Sequence, residues 1–169
     1  MKRALDSASD VRLHALEMVA GLVEHQTPLP GGSRPSQTDL LVLARSKKAL
    51  VLIGVEGKAK EAFGPQISEW EGNPKRLEHL QSLLPTSPLF DGQIRYQLVH
   101  RCAAAVLEAE RFHAPLAVML VHQFGGETPA WKDYVAFVSA MGHTAKKGGI
   151  VSLGRCSNKV ELAVGWVEE

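Results

Sequence analysis

A long helical repeat, stopped by a proline and followed at once by an unbroken apolar run, limits the folds open to this chain. Apolar side chains recur at helical spacing from Gln93 to His113, which predicts one amphipathic helix. Pro115 ends this helix, and Leu116 to Val121 is a continuous apolar run of strand length. Such a run is typical of a strand buried on both faces, so we predict a central strand in a sheet covered by helices. The expected fold class is therefore α/β.

Two further pairs of short apolar runs predict β-hairpins. Residues 39–44 and 49–55 are rich in Leu, Val and Ile, and a polar stretch at 45–48 separates them, which indicates an antiparallel pair. At the C-terminal end, residues 150–153 and 160–167 form the second pair. Residues 160–167 alternate in the period of two that indicates a half-buried strand. We expect this hairpin to close the fold.

Three other segments have helical spacing. Residues 11–24 predict a first amphipathic helix, with Asp10 as its N-cap, and 27–35 is a loop rich in Pro, Gly and Ser. Residues 74–84 and 131–141 predict two more helices. The whole order is a mixed α/β series and not a regular alternation of strand and helix.

Composition bounds the size and setting of the molecule. With 169 residues, 45% of them apolar, the chain suits one domain with one core, spanning 1–169. A net charge of +1 does not indicate a strongly basic wrapper of nucleic acid. No signal peptide or stretch of membrane-spanning length is evident, so we expect a soluble, cytoplasmic protein with no membrane partner.

Asp39, Glu56 and Lys58 form the constellation that could carry chemistry. Glu56 and Lys58 stand two apart at a strand end, so their side chains share a face of the sheet. If the hairpin turns near Lys47, paired residues sum to about 94, which sets Asp39 opposite roughly position 55. Two carboxylates and one ammonium group would then converge.

This trio suits metal-assisted cleavage of a phosphodiester bond. Paired carboxylates bind a hard cation such as Mg²⁺ (or Mn²⁺), and Gly57 leaves its backbone carbonyl approachable by the ion. A lysine beside the ion can orient the attacking water and stabilise charge on the phosphate. The alternative is a solvated strand end, because a Glu-x-Lys triplet often arises by chance.

The sequence resembles the PD-(D/E)XK phosphodiesterase superfamily through Thr38-Asp39 and Glu56-Gly57-Lys58. It is also similar to a small uncharacterised bacterial group of that superfamily, through the segments 95–101 and 121–124. The order of helix, strands, helix and strand over 11–124 fits the same core. The resemblance implies a restriction-endonuclease-like core, a central mixed sheet flanked by helices, with a C-terminal helix and β-hairpin appended. It also implies metal binding by the catalytic acids Asp39 and Glu56, and a catalytic Lys58. To these the Gly57 carbonyl would add a further metal ligand.

Four further residues are candidates for supporting roles. Gln97 and Arg101 are one turn apart on the polar side of the long helix. In several branches of the superfamily, the helix after the catalytic strands supplies a glutamine or a basic residue, which implies a catalytic Gln97 and a substrate-binding Arg101. Lys60 is a second substrate-binding candidate, and Glu17 an accessory acid on the first helix. The alternative for each is an ordinary solvated side chain.

The sequence thus predicts a divalent-metal-dependent nuclease acting on nucleic acid, with DNA as the expected substrate. The rival hypothesis is a catalytically inactive nuclease-fold protein that serves as a binding or assembly partner. Near-neutral charge and small size favour the rival, whereas the intact acidic and lysine positions favour the enzyme. A homodimer formed through the terminal hairpin is a further expectation.

Overall fold

Six strands join one mixed sheet in the computed structural model, which describes residues 1–86 and 88–169. In chain order the strands are β1 Glu17–Thr27, β2 Ser36–Arg45, β3 Leu50–Lys58, β4 Leu116–Gln123, β5 Gly149–Arg155 and β6 Glu161–Glu168. The helices are α1 Lys2–Asp6, α2 Pro74–Leu83, α3 Tyr96–Arg111 and α4 Ala130–Ala140. The predicted α/β class is confirmed, with a mixed sheet flanked by helices.

The strand order across the sheet is β1-β2-β3-β4-β6-β5. β1, β2 and β3 form an antiparallel meander, and β4 then lies parallel to β3 after the α3 crossover. β6 lies parallel to β4 on its other side and pairs with the edge strand β5 in an antiparallel hairpin. The predicted central strand is confirmed, because β4 is buried at every residue except His122.

The helix α3 covers one face of the sheet, as its apolar stripe predicts. Its buried side includes a run of small residues, Ala103 to Ala105, which lets the helix approach β3 closely at Gly54. The short helix α1 and a 3₁₀ turn at Val11–Leu13 pack on the opposite face. The central strands of the sheet are therefore enclosed between two apolar layers.

The β2–β3 hairpin has the predicted pairing within one residue. Leu40 pairs with Val55 and Arg45 with Leu50. The Ser46 hydroxyl accepts hydrogen bonds from the backbone N–H groups of Lys48 and Ala49, each at 3.2 Å, which closes the turn. This register brings the start of β2 to the end of β3.

The predicted helix over residues 11–24 is wrong. Asp10 does cap a helical turn, because its carboxylate accepts the Arg12 N–H at 2.9 Å, but only the 3₁₀ turn follows it. Residues 17–27 instead form β1 and pair with β2 along its length. An amphipathic helix needs a core to cover its apolar face. Met18, Val19, Leu22 and Val23 all remain exposed, so no such core lies beneath them.

The prediction of a half-buried β6 is also wrong. Its residues Leu162 to Val167 are all buried, because the strand lies inside the sheet between β4 and β5 and is covered on both faces. Gly165 makes this packing possible, since a Cβ there would lie 2.6 Å from Leu120 Cδ1 and 2.4 Å from Ile150 Cδ1. In the part of the chain that the structure describes, no helix has the length and apolar character needed to cross a membrane.

Candidate functional site

Glu56 is a buried carboxylate at the end of β3, on the face covered by α3. It is 3% exposed, and an ionised carboxylate at such depth requires charged or hydrogen-bonding partners. The structure supplies three such partners, two through hydrogen bonds and one through an ion pair. They come from β3 itself and from the first two turns of α3, where Gln97 and Arg101 stand one turn apart.

Both carboxylate oxygens of Glu56 are engaged. Arg101 Nε donates to Oε2 at 2.6 Å, and Gln97 Nε2 donates to Oε1 at 2.5 Å. Lys58 Nζ also lies 3.3 Å from Oε1. The structure therefore brings together four of the predicted site residues, and Gln97 and Arg101 do share a face of α3.

Lys58 is held in a polar pocket beside Glu56. Its Nζ donates to Gln97 Oε1 at 3.3 Å and lies 4.8 Å from the centre of the Phe63 ring. Gln97 Oε1 also accepts the Gly64 N–H at 3.0 Å, which fixes the orientation of the amide. Gln97 is thus the positioning residue of the cluster, because it contacts both Glu56 and Lys58.

Asp39 reaches the end of β3 through the backbone of Gly57. Its Oδ2 accepts the Gly57 N–H at 2.7 Å. Leu40 and Val55 are the last pair of the hairpin ladder, so Asp39 lies one residue before it on β2 and Gly57 two residues after it on β3. A Cβ at Gly57 would lie 3.3 Å from that oxygen, so a glycine leaves room for the carboxylate. The register thus brings Asp39 to this strand end, but the contact is with the Gly57 backbone, and no described hydrogen bond or ion pair joins its carboxylate to Glu56 or Lys58.

Two predicted site residues lie outside the cluster. Lys60 is in an exposed turn after β3. Glu17 begins β1 opposite Arg45, to which it makes an exposed ion pair at 3.5 Å. Since Arg45 is six residues from Asp39 along β2, Glu17 is roughly 20 Å away from the cluster. Its expected position on a helix over the site rested on the helix that is absent.

Sequence reasoning missed Ser36 and His100, which extend the cluster beyond Arg101. The Ser36 Oγ accepts from Arg101 NH1 at 2.8 Å and lies 2.9 Å from His100 Nδ1. Burial lowers the pKa of His100 to about 3, and the charges of Arg101 and Arg76 add to that effect. Its place next to Arg101 in the sequence is the one signal that could have found it.

The cluster combines groups whose chemistry suits a cation with groups whose chemistry suits an anion. Glu56 and Asp39 supply carboxylate oxygens, whereas Lys58 and Arg101 supply donors that suit a phosphate. As it stands, Arg101 and Lys58 neutralise Glu56. Among the described residues, no group of three or more His, Cys, Asp or Glu side chains is arranged to hold a metal ion. Any ion here would rely on the two carboxylates, backbone oxygen, water and substrate.

Comparison with known proteins identifies a family but no activity. No curated protein and no solved structure matches the chain. A family model described as Domain of unknown function (DUF6946) matches residues 1–169, and the chain therefore belongs to that family.

Proposed function

We propose that this protein is a divalent-metal-dependent phosphodiester hydrolase acting on nucleic acid, with DNA as the first substrate to test. The observation that carries the proposal is the convergence of Glu56, Lys58, Gln97 and Arg101 at one strand end, with Asp39 beside it. Buried ion clusters are often structural. This one lies where two adjacent strands and a helix end meet, and it combines carboxylates with phosphate-binding donors.

The strand order supports the finer fold proposal, a restriction-endonuclease-like core. Three antiparallel strands precede a helix and a fourth, parallel strand, and the acidic residues lie on the second and third strands. The resemblance to the PD-(D/E)XK superfamily implies a helix before these strands, and β1 lies in its place; from β2 onward the order is the strands, helix and strand that the resemblance implies. In this proposal β5, β6 and α4 are additions to that core.

The donors present fit Mg²⁺ or Mn²⁺ in their chemical type. Mg²⁺ uses one or two carboxylates together with water and substrate phosphate. Oδ2 of Asp39 carries the one hydrogen bond found for that carboxylate in the described chain, which leaves Oδ1 open. Glu56 Oε2 would have to exchange Arg101 for the ion. A bound ion would polarise the phosphate and acidify a water.

The protein's own residues would then divide the work on the phosphate. Gln97 accepts a hydrogen bond from the Lys58 ammonium group and so holds it beside Glu56, where it would stabilise charge on a phosphate oxygen. Arg101, once released from Glu56, has a planar guanidinium that can bind a phosphate through two hydrogen bonds. Lys60, on the exposed turn, would contact the strand farther out.

The second candidate function is nucleic-acid binding without hydrolysis, as an assembly partner. The short Arg101–Glu56 ion pair favours it, because a carboxylate already paired with an arginine is a weaker ligand for a cation. Both candidates use the same surface, and they differ in whether Glu56 exchanges its partner.

The two candidates separate in a titration and a cleavage assay. Calorimetry with Mn²⁺ or Mg²⁺ should show binding by the wild type and weaker binding by Asp39→Asn. Cleavage of a DNA substrate should fall at least about 100-fold in Lys58→Met. Lys48→Met makes the same change in the exposed β2–β3 turn and should leave cleavage unchanged. DNA retained in a gel shift but left intact, with no metal binding, would overturn hydrolysis and favour the second candidate.

A further inference from the structure

A cavity of about 790 Å³ opens beside the candidate site, and the site's Arg101 forms part of its wall. The cavity lies between the loop before β2, the start of α2 and the first turns of α3. Its other walls include Arg76 from α2, Tyr96 and His100 from α3, and Trp70. None of these was a predicted site residue.

Arg76 is a buried cation without a carboxylate partner. Its side chain lies in the cavity wall with the residue 8% exposed. Nε donates to the Tyr96 hydroxyl at 3.0 Å and NH2 donates to the backbone carbonyl of Arg34 at 2.6 Å. Both acceptors are neutral, and no ion pair of Arg76 occurs in the described parts of the chain. A buried charge is costly unless an opposite charge offsets it.

The surroundings hold the Arg76 guanidinium in one place. The Tyr96 ring that accepts from it is stacked on Trp70, with ring centres 3.9 Å apart. The loop before β2 also closes on it. A Cβ at Gly32 would lie 2.4 Å from Arg76 NH1, and a Cβ at Gly31, whose φ is +81°, would lie 2.8 Å from Arg76 Cα. The two glycines allow a contact that larger residues would block.

The charges that face the cavity are mostly positive. Arg76 and Arg101 are in its wall, and Arg34 is exposed at its edge. Glu71 is the acidic residue in the lining, and it is exposed. The carboxylate of Glu56 is already paired with Arg101 and Lys58. No described acidic side chain therefore neutralises Arg76, and an anion in the cavity could do so.

We propose that this cavity binds a phosphate group of a nucleic-acid strand, with Arg76 as its charged anchor. A guanidinium fork suits the tetrahedral oxygens of a phosphate. The nucleic-acid source of that phosphate rests on the proposed function, because Arg101 joins the cavity to the cluster around Glu56. A strand anchored at Arg76 would pass Arg101 and reach Lys58. The cavity thereby selects which phosphodiester bond lies at the candidate site.

The test measures binding without metal, so that it does not depend on catalysis. In EDTA, calorimetry would follow inorganic phosphate and then a short single-stranded oligonucleotide, with and without a 5′-phosphate. We expect the wild type to bind the oligonucleotide and Arg76→Met to bind it roughly 10-fold more weakly or worse. Lys75→Met removes the neighbouring, exposed charge on α2 and should leave the affinity unchanged. If the oligonucleotide with a 5′-phosphate binds more tightly than the one without it, the anchored group is the phosphate at the strand end. If the two bind with equal affinity, the anchored group is an internal phosphate.

A second variant guards against misfolding of Arg76→Met. Tyr96→Phe keeps the ring stack and removes only the hydroxyl that orients Arg76, so it should weaken binding by a smaller factor. Equal affinity of the wild type and Arg76→Met for the oligonucleotide would overturn the proposal. A wild type that binds inorganic phosphate but does not bind the oligonucleotide would also overturn it. If Arg76→Met cleaves DNA with Mg²⁺ as fast as the wild type does, the proposed hydrolase function would be supported and the role of Arg76 as a phosphate anchor would be wrong. If the oligonucleotide binds without metal and depends on Arg76, but no DNA is cleaved with Mg²⁺, the anchor would be supported and the hydrolase function would be wrong.

Discussion

Glu56 illustrates how much one buried carboxylate can contribute to stability. It lies between Arg101 and Lys58, whose side chains are 11% and 7% exposed. Replacing a carboxylate in such a group leaves two cations buried without a counter-charge. Glu56→Gln should therefore lower the free energy of unfolding by about 3 kcal/mol, measured by urea denaturation at pH 7.

Glu17→Gln provides the matched control for that substitution. The Glu17–Arg45 pair has side chains 77% and 65% exposed, so its loss should change the free energy of unfolding by less than about 0.5 kcal/mol. Equal effects of the two substitutions would mean that solvent reaches the cluster around Glu56 and that its ion pairs are ordinary surface pairs.

His100 makes the stability depend on pH. Burial lowers its pKa to about 3 from an ordinary value of 6.5. A depressed histidine pKa favours the folded state above 6.5, and this contribution is lost as the pH falls from 6.5 towards 3. The free energy of unfolding should therefore fall by up to about 1.4 kcal/mol per unit below pH 6.5.

The window from pH 6.5 to 5 isolates this effect from the carboxylates with lowered pKa, such as Asp10 and Glu161. Those carboxylates lose their contribution only at lower pH. Urea unfolding across the window should show a slope in the wild type that His100→Gln removes. His79→Gln, an exposed replacement on α2, should keep it. A slope that persists in His100→Gln would place the proton uptake elsewhere.

Among the elements, those whose evidence is local could be predicted from the sequence. The α3 stripe and Pro115 are sufficient to define a helix and the strand after it, because each signal lies within a few turns. The polar turn at 45–48 likewise fixes the β2–β3 register, which brings Asp39 to Gly57. This register explains why the centre of the candidate site could be found.

The failures involve partners that are distant in the sequence. The apolar residues between Leu13 and Val23 fit a helical spacing, yet β2 supplies backbone partners some twenty residues away that turn the segment into β1. The Arg76 contacts with Tyr96 and Arg34 have separations of 20 and 42 residues. Neither contact has a local pattern, since an arginine on a short helix usually indicates a solvated surface.

At the scale of the whole molecule, β1 is an edge strand that leaves large apolar side chains exposed to solvent. Its large apolar residues are exposed by 70% at Met18, 56% at Val19, 41% at Leu22 and 74% at Val23. Exposed apolar edges pair readily with another strand. The other edge strand, β5, has fewer exposed residues. We therefore predict that a homodimer forms through β1 and not through the terminal hairpin.

We predict that a second copy of the chain pairs with this edge. In an antiparallel pair of β1 strands centred on Gly21, Val19 would face Val23, and Glu17 would face His25 of the other copy. Such a dimer would extend the sheet across both molecules. Val23→Lys, which appears twice at the two-fold interface, should abolish it, because each copy would bring a charge against the apolar strand of the other.

Sedimentation equilibrium over a range of protein concentrations measures this association. The wild type should show a monomer–dimer equilibrium, and Val23→Lys should sediment as a monomer at every concentration. Ser152→Lys adds the same charge to an exposed position of β5 and should leave the equilibrium unchanged. If Ser152→Lys dissociates the dimer and Val23→Lys does not, the interface is the terminal hairpin. If the wild type is monomeric, neither edge forms a dimer. Because β1 is bonded to β2, and β2 carries Asp39, a β1 interface would set two candidate sites at a fixed separation on one continuous sheet.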